Sequence, residues 1–218
     1  MSASICPVIP GRREIGALRR AGAELLDVTE VLQRKGRNVV TELLPAEHRL
    51  QYWDHHPADD AYDIVSGYRW YYHAHPLAGA GDEHGHFHVF DAVRGGYTHL
   101  VAVAVTPDGW PRRAFTTNRW VTNEVWSPAA RVLRRLRGFV MQQPPGLALV
   151  HRWLAALFTL FRPQLERLLG ERDRRVAAAL ATRPNLFEDR RTSLLSQCRL
   201  DVSRQFAWLE SIQSGVPR

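Results

Sequence analysis

Between Tyr68 and Thr122, short aromatic and β-branched runs alternate with Pro/Gly-rich connections too short to hold a helix. The runs are YRWYYHAH at 68–75, GHFHVF at 85–90, THLVAVAVT at 98–106 and RRAFTTNRWVT at 112–122. They are joined by PLAGAGDE, RGGY and PDGWP. Parallel neighbours need a crossover of about a dozen residues or more, so these runs must pair antiparallel. The spacing predicts a meander of at least four strands.

The flanks follow a different period. From Arg12 to Lys35, Ile15, Leu18, Leu25, Leu26, Val28 and Leu32 recur at helical spacing, and Gly36 is a stop signal. A short helical or extended piece over 39–44 ends at Pro45. Ser127-Pro128 reads as a helix start, and helices are expected at 128–141, 147–161, 163–182 (with a break at Gly170) and 192–213. The pattern is α+β: a four-stranded or larger antiparallel meander sheet with an N-terminal helix and a C-terminal helical region. One domain is expected over 1–218, divided into helical 12–44, the sheet at 62–126 and helical 127–218.

Hydrophobic residues at 45% and charged residues at 23% exclude a disordered chain. No apolar run reaches the roughly 20 residues that span a bilayer. The opening MSASICPVIP lacks the apolar stretch of a secretory signal. Two cysteines, Cys6 and Cys198, cannot build a disulfide framework, so a reducing cytoplasm is expected. Charge is segregated: residues 44–126 carry a net −4 and residues 127–218 a net +9. Histidine is segregated more sharply, with nine of ten between His48 and His99 and only His151 outside.

Side chains at i and i+2 on a strand share a face. His73 and His75 therefore align, as do His86 and His88, joined by His84 if the strand starts that early. A hairpin through 76–83 sets His73 opposite His86, with Cβ atoms about 5 Å apart. A turn at Arg94-Gly95 pairs Phe90 with His99 and brings His99 beside His88. A turn at Asp108-Gly109 pairs His99 with Asn118. One face would then hold Tyr71, His73, His75, His86, His88, His99, Thr116 and Asn118. The other would hold Tyr68, Trp70, Tyr72, Phe87, Val89, Leu100 and Ala102, an apolar surface for helices.

Neutral imidazole ligates zinc, iron, copper and nickel. The expected metal ligands are His86 and His88 with His73, His75 or His99. Glu83 enters the strand as a carboxylate ligand or general base. Asn118 and Thr116 are the groups expected to orient a substrate or a metal-bound water, and Arg119 is expected to bind a carboxylate or phosphate bidentately. His55, in the polar stretch WDHHPADD at 53–60, could fold over the histidine face. A hydrogen-bonded network or a pH-responsive face accounts for the same residues without a metal.

YYHAH at 71–75, EHGHFHVF at 83–90 and FTTNRWVT at 115–122 resemble an uncharacterised bacterial family, a domain of unknown function. The resemblance supplies no activity. Gly81-Asp82-Glu83 before His86-Phe87-His88 is similar to the cupin turn and His-x-His strand, without the downstream glutamate. His86-Phe87-His88 with His99-Leu100-Val101 is similar to the ligand strands of α-carbonic anhydrases, at shorter separation. Both are likenesses of ligand geometry.

Two function classes remain. The first is a metal-dependent enzyme, either a hydrolase or lyase with zinc or a non-heme oxidoreductase with iron. It would activate water or dioxygen against a small-molecule substrate. Copper and nickel are further choices. The second is a non-catalytic module that binds a metal or small ligand and docks a partner through its arginines. Arg131, Arg134, Arg135 and Arg137 form one stripe, and Arg172, Arg174 and Arg175 another. No groove-reading or base-stacking motif accompanies them, so nucleic acid is not the expected partner.

Overall fold

Among the described residues, six strands form one antiparallel sheet in sequence order, each paired with the next. They are β1 (His56–Tyr62), β2 (Tyr68–Ala74), β3 (Gly85–Val93), β4 (Gly96–Val105), β5 (Pro111–Thr117) and β6 (Leu194–Arg199). The helices are α1 (Arg12–Arg34), α2 (Arg119–Thr122), α3 (Ala129–Arg137), α4 (Ala148–Leu160), α5 (Arg162–Leu180) and α6 (Val202–Ser214). The structure, a computed structural model, describes residues 10–44, 52–76 and 82–214. His48, Cys6 and part of the glycine-rich connection after Pro76 lie outside the described residues.

The helix α1 buries Leu18, Ala21, Leu25, Val28 and Leu32 along one stripe. It stops because Gly36 takes the left-handed conformation (φ +67°). That turn lets Gly36 N–H reach Gln33 O and Arg37 N–H reach Leu32 O, at 2.9 Å each, closing the orphan carbonyls of the last turn. The main core joins this stripe to α4, through Val150, Trp153, Leu154 and Leu157, and to one face of the sheet. That face presents Tyr68, Trp70, Tyr72, Phe87, Val89, Leu100, Val101, Val103, Val105 and Ala114.

The α+β meander matches the sequence pattern, with two additions and several corrected boundaries. β1, HPADDAY, overlaps the polar stretch at 53–60 and lacks the alternation of a half-buried strand; it is an edge strand whose register shifts between His56 and Ala61. β6 occupies the start of the segment expected to be helical over 192–213, so only Val202–Ser214 is helix there. α3 ends at Arg137 rather than 141, and α5 runs through Gly170 unbroken. Residues 39–43 form turns.

A β-bulge at Leu100 changes which side chains share a face. His73 does pair with His86, and Phe90 with His99. Val89, however, pairs with Val101, which leaves Leu100 as the extra residue. Leu100 and Val101 both enter the helix-side core, and every later side chain of β4 is turned over. Ala102 and Ala104 move to the histidine side, against the expectation for Ala102. Ala102 pairs with Phe115, so Phe115 and Thr117 face the histidines in place of Thr116 and Asn118. Thr116 instead exchanges a hydrogen bond with Ser196 at 2.7 Å.

Candidate metal centre

β2 and β3 place three imidazoles at one point. His73 and His86 are directly opposed across the ladder, and His88 follows two residues along β3. The ring centroids lie 4.3 Å apart for His73–His86, 4.8 Å for His86–His88 and 5.3 Å for His73–His88. One nitrogen from each ring lies within 4.8 Å of the other two. Nitrogens on a tetrahedral ion with bonds of about 2.0–2.1 Å stand roughly 3.3 Å apart, so small ring rotations bring these three donors onto one ion. Among the described residues no other group of three histidine, cysteine or acidic side chains meets this condition.

Glycine makes the β2–β3 approach close enough. A Cβ on Gly85 would stand 2.3 Å from the backbone oxygen of His73 and 2.5 Å from the Tyr72 hydroxyl. A backbone oxygen in the ladder can move only by shifting the pairing itself, so any larger residue at position 85 disturbs β2 against β3. β3 begins at Gly85, so His84 precedes the strand and stays outside the histidine face. Its Nδ1 is 2.6 Å from the Tyr72 hydroxyl, and its ring stacks with Tyr72 of the opposite face.

Burial keeps the three rings neutral. It lowers His73 to about 4, helped by the neighbouring His55 and His75. It holds His86 and His88 well below the usual histidine range, with adjacent imidazoles adding to the effect. Neutral imidazole is the form that ligates. The nitrogens of His73 and His86 are 2.6 Å apart, so one donates to the other. Nδ1 of His86 is buried and has no partner among the described residues.

Behind the cluster stands a buried orienting chain. His88 Nδ1 meets His99 Nε2 at 3.1 Å, and His99 Nδ1 meets the Thr117 hydroxyl at 3.2 Å. The His99 backbone N–H donates to Glu124 at 2.8 Å. Burial lowers His99 to about 3, with the Arg172 charge a smaller cause. Burial raises Glu124 to about 7, opposed by that N–H and by Arg172. Such partners fix the ring orientation of a ligating histidine. Thr117 and Glu124 carry no local sequence signal. Thr117 is exposed to the site only through the bulge, and Glu124 folds back from a loop.

The remaining expected residues are placed as follows. His75 follows β2, with its ring 5.4 Å from that of His86, outside the three-donor group. His99 lies one layer behind it. Glu83 is paired with Arg113 through both carboxylate oxygens, at 2.5 and 3.0 Å. Asn118 is fully buried as the cap of α2, where β5 ends; its amide donates to Leu186 O and Thr192 O, and its oxygen accepts from Arg119 N–H. Arg119 pairs with Glu188 at the surface. Glu83, Asn118 and Arg119 each have partners within the protein. His55 does fold over the histidine face, stacking on Tyr71 at 3.6 Å with its Nδ1 2.8 Å from Asp60.

The arginine stripes are largely paired within the protein. Arg135 meets Asp91, Arg137 meets Glu166, and Arg174 and Arg175 share Glu171. Arg172 is 2% exposed and bonds Ser127 O and Asp173. No helix among the described residues is long and apolar enough to cross a membrane.

An antiparallel α+β sheet with a three-histidine cluster on the face opposite its main core defines the class. The chain belongs to the family described as Domain of unknown function (DUF6969), whose model matches residues 19–200. No curated protein and no solved structure matches it.

Proposed function

We propose that His73, His86 and His88 hold a divalent transition metal and that the protein is a metal-dependent enzyme acting on a small molecule. Zinc and iron suit an all-imidazole donor set best, with copper and nickel next. The observation that carries this reading is the meeting of three neutral imidazoles from two paired strands within 4.8 Å. A bound ion would supply Lewis acidity toward water, or redox chemistry toward dioxygen if it is iron. The chain's own part is to keep the donors unprotonated by burial and to aim His88 through His99 and Thr117. At the rim, His55 with Asp60 on its Nδ1 is the group this reading assigns to proton handling, since Glu83 is paired with Arg113.

The reading of a non-catalytic docking module has less support, because most of the arginines it would use already have acidic partners. The test is elemental analysis of protein purified without a histidine tag. One equivalent of zinc or iron is expected, lost in His86→Ala and His88→Ala and retained in Thr116→Val. Equal metal content in wild type and both histidine variants would contradict the assignment.

A further inference from the structure

We infer that the histidine site receives a ligand bearing a flat aromatic or heteroaromatic ring, which lies against the indole of Trp53. This rests on the metal reading above and adds to it the class of substrate.

Trp53 is 63% exposed, although tryptophan is the largest apolar side chain and is usually well buried. Its backbone is left-handed, at φ 74°. A bulky side chain rarely adopts that region, because Cβ crowds the following carbonyl. Such strain persists only where the surroundings impose it, and it concentrates at functional sites. Here the Trp53 N–H donates to Ala74 O at 2.9 Å, tying the residue to the end of β2.

That anchor sets the indole beside the cluster. Its centroid is 5.6 Å from His73, edge-on, and 5.9 Å from His75, tilted by 32°. Other rings stand close to the cluster. His55 lies flat on Tyr71, and Phe115 stands edge-on to His86 at 5.0 Å. A ligand held at the three donors would meet ring faces and edges on several sides, and on the Trp53 side it would cover apolar surface that is otherwise in water. A simpler role for Trp53, shielding His73 from solvent, predicts a different result: its loss would weaken the metal and leave ligand preference unchanged.

The experiment uses full-length protein loaded with cobalt(II) and titrated with imidazole or 4-phenylimidazole, followed by visible absorption. Both azoles offer the same ring nitrogen, and only the second carries an additional ring. Wild type is expected to prefer 4-phenylimidazole. Trp53→Ala should lower that preference about threefold to tenfold while leaving cobalt and imidazole affinities unchanged. Trp53→Phe should keep most of the preference. Cobalt protein that binds neither azole, or whose preference is the same in Trp53→Ala, overturns the inference and leaves the metal reading standing. So does a Trp53→Ala protein that loses cobalt itself. Wild type that takes up no cobalt removes both.

Discussion

Both faces of the sheet bury side chains, the helix side more completely, and the burial does different work on each. On the helix side Trp70, Tyr72, Phe87 and Val103 are fully buried. On the other side His88 and His99 are 2% and 1% exposed. Removing water from the first set stabilises the fold directly. Removing it from the second set suppresses protonation and keeps the rings as donors. Desolvation is thus a source of stability on one face and of reactivity on the other, and the comparison can be broken from either side.

The largest expected effect is on the helix side. Phe87→Ala should lower the unfolding free energy by about 3–5 kcal/mol, read by urea denaturation, while the folded fraction keeps its metal content. Loss of metal with the stability would mean the faces are not separable.

Acid should act next. Folding depresses His99 to about 3 and His151 to about 4, the latter by burial on α4 against Trp70 with neither ring nitrogen paired among the described residues. The unfolded chain therefore takes up these protons first. Their contribution is full above the unfolded value near 6.5 and is lost as pH falls through 6.5 toward 4 and below, for a few kcal/mol in all. Glu124 runs in the opposite direction: raised to about 7, it favours the folded state as pH falls from about 7 toward 4.5, and so offsets part of the loss. Metal-free protein should show a falling melting temperature between pH 7 and pH 4. His151→Leu should flatten that fall without changing metal binding. A flat profile in the wild type would mean the rings are not held neutral by burial.

Gly85→Ala should cost about 1–3 kcal/mol through overpacking and also weaken metal uptake, because the His73 backbone that it displaces carries a donor. A variant that keeps full metal affinity would show that the donors tolerate a shifted ladder. The smallest effect is expected from Thr117→Val, which removes the partner of His99 Nδ1. Metal affinity should fall about tenfold with little change in melting temperature, measured by chelator competition. An unchanged affinity would detach the orienting chain from the site.

Much of this arrangement was legible in the residues. Short turns dictated antiparallel pairing, and the His73–His86 and Phe90–His99 registers followed from them. Tyr71 and His73 share a face, as do His86 and His88, because a period of two within a strand needs no knowledge of neighbours; bringing the two pairs together needed the register. What was hidden depends on distant contacts. The bulge at Leu100 has no marker within THLVAVAVT, where every residue is compatible with a plain strand, yet it exchanges Thr116 and Asn118 for Phe115 and Thr117. β1 and β6 are edge strands of mixed polarity, shaped by their partners rather than by their own pattern. His84 left the cluster because Tyr72 offered it a hydroxyl across a glycine. The engagements of Glu83 with Arg113 and of Asn118 with Leu186 and Thr192 span gaps in sequence that local spacing cannot reveal.

Zinc(II) titration of metal-free protein by calorimetry tests the central claim most directly. A single saturable site at one ion per chain is expected, with micromolar or tighter affinity and little dependence on pH above neutrality. Folded wild-type protein that gives no binding heat, or binding that survives the simultaneous replacement of His73, His86 and His88 by alanine, would contradict it.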